Sequence, residues 1–67
     1  MEKQKNESYL VSVVYTKQIN GTIDISLKHA HVHASSKEEA LGYLILHFDD
    51  EMKGYLLSNK VVTKLKL

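Results

Sequence analysis

"KQINGTID", residues 17–24, decides how the first half of this chain folds. Asn20-Gly21 lies between two runs rich in β-branched and aromatic residues. A type I′ turn needs positive φ at both central positions, which Asn and Gly tolerate better than other residues. The pair therefore predicts a hairpin. A turn at that point sets Ile19 opposite Thr22, Lys17 opposite Asp24, Thr16 opposite Ile25 and Val14 opposite Leu27. The opposite charges of Lys17 and Asp24 support this register.

Towards the N-terminus, "YLVSVVYT" (residues 9–16) is apolar on both faces, as a central strand is. The preceding "MEKQKNES" is polar and aperiodic, and reads as a mobile tail over residues 1–8. Residues 9–67 are then one small domain. On the other side of the turn, the second strand covers residues 22–34. Its apolar residues change phase: Ile23, Ile25 and Leu27 are odd, whereas Ala30, Val32 and Ala34 are even. One extra residue at Lys28-His29, as in a β-bulge, would bring all six to one face with Leu10 and Val14. A bulge or break is therefore predicted there. It would leave His29, His31 and His33 on the second face, with Tyr9, Val11, Val13, Tyr15 and Lys17.

"SSKEEALGYLILHFDDEMKG" (residues 35–54) has the marks of a helix. Ser36 is the expected N-cap, with Glu39 closing a capping box, and Gly54 is the expected residue just past the C-terminus. Ala40, Leu41, Leu44, Ile45, Phe48 and Met52 form one apolar stripe at helical spacing. Tyr43 and Leu46 fall on the far side, near Gly42. Asp49-Asp50-Glu51 opposes the helix dipole and reads as a solvated charge run. Finally, "YLLSNKVVTKLKL" (residues 55–67) supplies a third strand, in which Val61, Thr63, Leu65 and Leu67 alternate with Val62, Lys64 and Lys66.

The predicted fold is α+β, ββαβ, with one helix on a three-stranded antiparallel sheet. Order 2-1-3 puts the most apolar strand in the centre; order 1-2-3 is the alternative.

Composition narrows the function. A chain of 67 residues without cysteine has neither disulfides nor thiolate metal sites. A domain this small buries only ~60% of the surface exposed by its unfolded chain, and commonly relies on a metal or a partner. No apolar run reaches the ~20 residues that cross a bilayer, and no signal peptide is expected. A cytoplasmic protein with no membrane partner is the expectation. The net charge is +1 and every Lys/Arg position is lysine. Near-neutral charge and the lack of arginine forks argue against base-specific nucleic-acid reading.

In "HAHVHASS" (residues 29–36) three histidines alternate along the strand. An H-x-H pair can ligate zinc, but His29 and His33 lie ~13 Å apart along a strand, too far for all three to share one ion. His47 offers no helical E-x-x-H or H-x-x-x-H partner. No metal or other cofactor is expected. No nucleophile elbow, P-loop or dinucleotide fingerprint is present, so no catalytic residue is assigned and no enzyme is expected.

What stands out is surplus apolar surface. The sheet face of Tyr9, Val11, Val13, Tyr15, His29, His31 and His33 is the expected interaction face, with Gly42, Tyr43 and Leu46 on the helix as a second patch. The leading expectation is an interaction protein that binds itself as a homo-oligomer or masks another protein. The alternative is single-stranded nucleic-acid binding, with Tyr9 and Tyr15 stacking on bases and Lys17, Lys28, Lys64 and Lys66 near phosphates.

"ASSKEEALGYLI" (residues 34–45) followed by "GYLLSNKVVTKL" (residues 54–65) resembles a pattern in short uncharacterised bacterial and phage ββαβ proteins. These share a strand ending in a small residue, a Ser-x-x-Glu-Ala cap, a Leu-Gly pair in the helix and a Gly-Tyr pair before the last strand. The similarity covers about residues 9–66. It implies a free-standing accessory protein of a mobile element, inhibition of host defence being one such role. It brings no established activity and no functional residue.

Overall fold

The computed structural model describes residues 6–66. The elements are β1 (Glu7–Ile19), β2 (Thr22–Ala34), α1 (Lys37–Phe48) and β3 (Leu56–Lys64). They form the ββαβ arrangement expected, an antiparallel sheet in order β2-β1-β3. Asn20 (φ 49°) and Gly21 (φ 82°) both adopt positive φ at the hairpin tip. All four strand pairs inferred from that turn are present.

β1 begins earlier than the polarity of its first residues suggested. Glu7 and Ser8 pair with Ala34 and His33 and belong to the strand. β3 and the segment after it hold them there: Lys64 Nζ lies 2.7 Å from the Glu7 carboxylate, and the Leu65 N–H donates to the Ser8 carbonyl at 2.9 Å. Of the expected tail, residues 1–5 lie outside the described residues, as does Leu67 of the expected third strand.

The bulge expected at Lys28-His29 is absent. β1 and β2 pair without interruption from Glu7–Ala34 to Ile19–Thr22. The phase change in β2 instead marks a change in which face is apolar. A 12-residue helix is ~18 Å long, whereas a 13-residue strand spans ~43 Å, so α1 covers only part of the hairpin. Near the helix, Ala30, Val32 and Ala34 turn towards it. Towards the turn, Ile23, Ile25 and Leu27 turn to the other face. The irregularity of the sheet lies in β3, where Val14 pairs with Asn59 but Tyr15 pairs with Leu57, leaving Ser58 as the extra residue. The Ser58 and Thr16 hydroxyls are hydrogen-bonded to each other beside it.

The core is consequently the reverse of the expected one along β1 and at Ile23, Ile25 and Leu27, while Ala30, Val32 and Ala34 lie on the core side as expected. Tyr9, Val11, Val13 and Tyr15 are buried with Ala34 against Ala40 and Leu44 of the helix. Leu41, Phe48, Met52, Tyr55, Leu57 and Val62 pack around them. Leu10, expected in the core, is exposed. A strand as apolar as β1 offers either face to a helix, and the even-numbered Ala30, Val32 and Ala34 decide which one is covered.

The helix starts as its sequence dictates. Ser36 has extended backbone and its hydroxyl accepts from the Glu39 N–H at 3.1 Å. Glu39 reaches back to the Ser35 N–H at 2.9 Å, one residue earlier than in the usual reciprocal box. The helix ends at Phe48, short of the expected stop at Gly54. Three successive carboxylates, Asp49 to Glu51, follow the last turn, where the dipole disfavours negative charge. The chain continues through turns closed by Met52 N–H to Phe48 carbonyl (2.9 Å) and Tyr55 N–H to Met52 carbonyl (3.0 Å). Gly54, at φ 89°, ends these turns rather than the helix.

Candidate interaction surface

Strand pairing places the side chains of the uncovered sheet face in rows. Thr63, Leu10 and His31 form one row; Val61, Ser12 and His29 the next; then Asn59, Val14 and Leu27; then Leu56, Thr16 and Ile25; and Gln18 with Ile23 beside the turn. Among the described residues no helix packs on this side. Ile23 is 65% exposed, Ile25 62%, Leu27 69% and Leu56 73%. Such side chains, adjacent on one face, form a patch rather than isolated surface residues.

The histidines lie in phase with these aliphatics. His31 and His33 have ring centroids 5.0 Å apart, tilted by 44°. Ser8 Oγ and His33 Nδ1 share a hydrogen bond of 3.2 Å. Among the described residues, no three His, Cys, Asp or Glu side chains converge as metal ligands.

The expected interaction face is therefore split between the two sides of the sheet. Tyr9, Val11, Val13 and Tyr15 are in the core, while His29, His31 and His33 are on the open side. The error follows from the bulge: one inserted residue reverses the facing of every residue beyond it. It also removes the stacking platform expected for a single-stranded nucleic acid, since Tyr9 and Tyr15 are each only 5% exposed. Lys17, Lys28 and Lys64 are on the helix side, where each has a local partner. Lys28 pairs with Glu51 and sits over the Phe48 ring; Lys17 lies over Tyr55; Lys64 pairs with Glu7. Lys66 lies beyond β3.

The second patch is where the helical spacing put it. Tyr43 and Leu46 are exposed and Gly42 is half-buried, on the helix and so across the sheet from the open face. A Cβ at Gly42 would meet nothing within 4 Å, so packing does not require glycine there. Tyr43 also lines a shallow groove with His47 and Phe48 against Ala30, His31 and Val32 of β2.

The turns between α1 and β3 cover the helix side of the hairpin where α1 stops. Tyr55 donates its hydroxyl hydrogen bond to Asp24, and this bond, which needs the phenol proton, raises the Tyr55 pKa. Burial, aided by the negative charge of Asp49, raises that of Tyr15. The hydrogen bond and charge of Glu7 raise that of Lys64.

No family model, no curated protein and no solved structure matches this chain. The open face of the sheet is its most distinctive surface. It offers exposed aliphatic groups and imidazoles on one face of the sheet.

Proposed function

We propose that this chain is a non-enzymatic interaction protein that binds protein surfaces through its open sheet face, as a homo-oligomer or by masking another protein. The observation that carries this reading is the row of Ile23, Ile25 and Leu27 on the side opposite the helix, each more than 60% exposed. Removing apolar surface from water contributes ~25 cal/mol per Å², and a small domain with a thin core gains more from it than a large one. A masking role in a mobile element, including inhibition of a defence protein, is compatible with such an exposed aliphatic face.

Sedimentation velocity from micromolar to millimolar protein tests the reading, comparing the wild type with Leu56→Lys. Leu56 is on the open face of β3, with β1 between it and β2. The expected result is a mass above that of one chain, with at least a tenfold weaker association for the variant. A wild type that remains a single chain throughout excludes self-association. If it also fails to bind any partner encoded beside it, the reading falls.

A further inference from the structure

The two edges of the sheet differ. β3 is nine residues long, carries a bulge at Ser58 and includes Lys60 and Lys64. Short length, irregularity and lysine are the usual protections of a strand edge against pairing. β2 is 13 residues long and pairs with β1 in unbroken register, and among the described residues its other edge meets no strand. It contains no proline, and its only two charged residues, Asp24 and Lys28, are both on the helix side. An edge of this kind is a template for another strand.

We propose that β2 pairs antiparallel with β2 of a second copy, in the register centred on Ser26, to make a continuous six-stranded sheet. This deepens the self-association reading given above and rests on it. Charge complementarity selects the occupant and the register. With Ser26 on the two-fold axis, Asp24 of each copy lies opposite Lys28 of the other, which adds two cross-strand charge pairs to the contacts these residues make within their own chain, Asp24 with the Tyr55 hydroxyl and Lys28 with Glu51. A register centred on Lys28 or on Asp24 would instead oppose like charges, which is destabilising for directly facing pairs. The Ser26 register also places Ile25 opposite Leu27 and Ile23 opposite His29 on the open face. The six exposed aliphatics of the two copies then form one cluster across the junction. Residues 22–30 of each copy take part, nine on each side. This is an isologous contact, in which the same patch serves both partners. It joins two open faces into one larger surface on a single side of the sheet, which then carries the face-mediated binding.

Charge exchange tests the register. Asp24→Lys and Lys28→Asp are made in the Leu56→Lys background, chosen to weaken face-mediated association. Each is checked for native circular dichroism, and both are run by sedimentation velocity. We expect the parent to be a dimer and each variant alone to dimerise at least tenfold more weakly, because like charges then face each other. Mixed in equal amounts, the two should recover a dimer containing one of each, since the mixed pair restores opposite charges at both positions. Mixtures that stay monomeric while the parent dimerises, or single variants that dimerise as the parent does, overturn the register. A parent that is monomeric in this background overturns the edge contact, and face-mediated association of the wild type is judged separately.

Ser26→Cys supplies a second measurement that does not depend on charge. The chain has no cysteine, and facing residues of an antiparallel pair have Cα atoms ~4.5–5.5 Å apart, within disulfide range. Mild oxidation should link this variant into covalent dimers. The same substitution at Ser58, on the opposite edge, should link far more slowly. Equal rates at the two positions would indicate random collision and count against the contact.

Discussion

Val14 and Leu27 stand opposite each other in the β1–β2 ladder, on the face away from the helix, while their neighbours Val13 and Lys28 form the adjacent pair on the helix side. Val13 is 1% exposed and Leu27 69%. Two aliphatic residues of similar chemistry thus serve different ends. Val13→Ala should lower stability by about 2 kcal/mol, from two buried carbons and the cavity they leave. Leu27→Thr should change it by less than about 0.5 kcal/mol, as surface substitutions do. Urea titration at low protein concentration, where association does not contribute, measures both. Equal losses would mean that the open face is covered within a single chain.

The first turn of α1 depends on the Ser36 hydroxyl. Ser36→Ala removes the acceptor for the Glu39 N–H and should cost about 1 kcal/mol. Ser36→Asp restores an acceptor and adds negative charge at the positive end of the dipole, so it should match or exceed the wild type. The midpoint of urea unfolding reads all three proteins.

Gly54→Ala tests the turns that follow the helix. At φ 89° a side chain is strained, and an added Cβ also lies 3.5 Å from Lys17 Nζ. The contact is ordinary, so the backbone term decides. A loss of about 1–2 kcal/mol is expected. A Gly42→Ala control should be neutral or stabilising, since that site is open and helical. Thermal unfolding of the pair separates strain from simple bulk.

Stability should fall at alkaline pH. The folded pKa values of Tyr15, Tyr55 and Lys64 are all raised. For each, the folded state holds its proton more tightly than the unfolded state does. The contribution is complete below the unfolded value, near 10 for tyrosine, and is lost as pH rises through the folded value. Tyr15→Phe should therefore lose less stability than the wild type between pH 9 and 11. Denaturation midpoints across that window test this, and parallel curves for the two proteins would assign the loss elsewhere.

Local signals carried the sequence reading where they sufficed. Asn20-Gly21 fixes the turn and with it 13 strand pairs. Ser36 fixes the helix start, and the apolar density of β1 fixes the strand order. The facing of the sheet is a different matter. Alternation in β2 shows that Ile23, Ile25 and Leu27 oppose Ala30, Val32 and Ala34, but not whether the chain unites the two sets by a bulge or leaves them on opposite faces. That depends on how far α1 reaches along the hairpin, which is a tertiary property. Gly54 resembles a helix terminator, but the helix stops earlier, at Phe48, ahead of the carboxylates at Asp49, Asp50 and Glu51. A signal for the bulge in β3 was present in the adjacent Val61 and Val62. Val62 faces the core with Leu57, five residues earlier, a spacing that an uninterrupted strand cannot give.

The extra Ser58 in β3 bears on how large an assembly can grow. A sheet that recruits further strands at both rims has no natural end and elongates into a filament. Here one rim is interrupted by Ser58 and guarded by Lys60 and Lys64. Once two copies have consumed their receptive rims on each other, both ends of the product present only the interrupted rim, and growth in that direction terminates. Deleting Ser58 would therefore do more than straighten a strand: it would remove one of the two guards on that rim and leave Lys60 and Lys64 alone to limit growth.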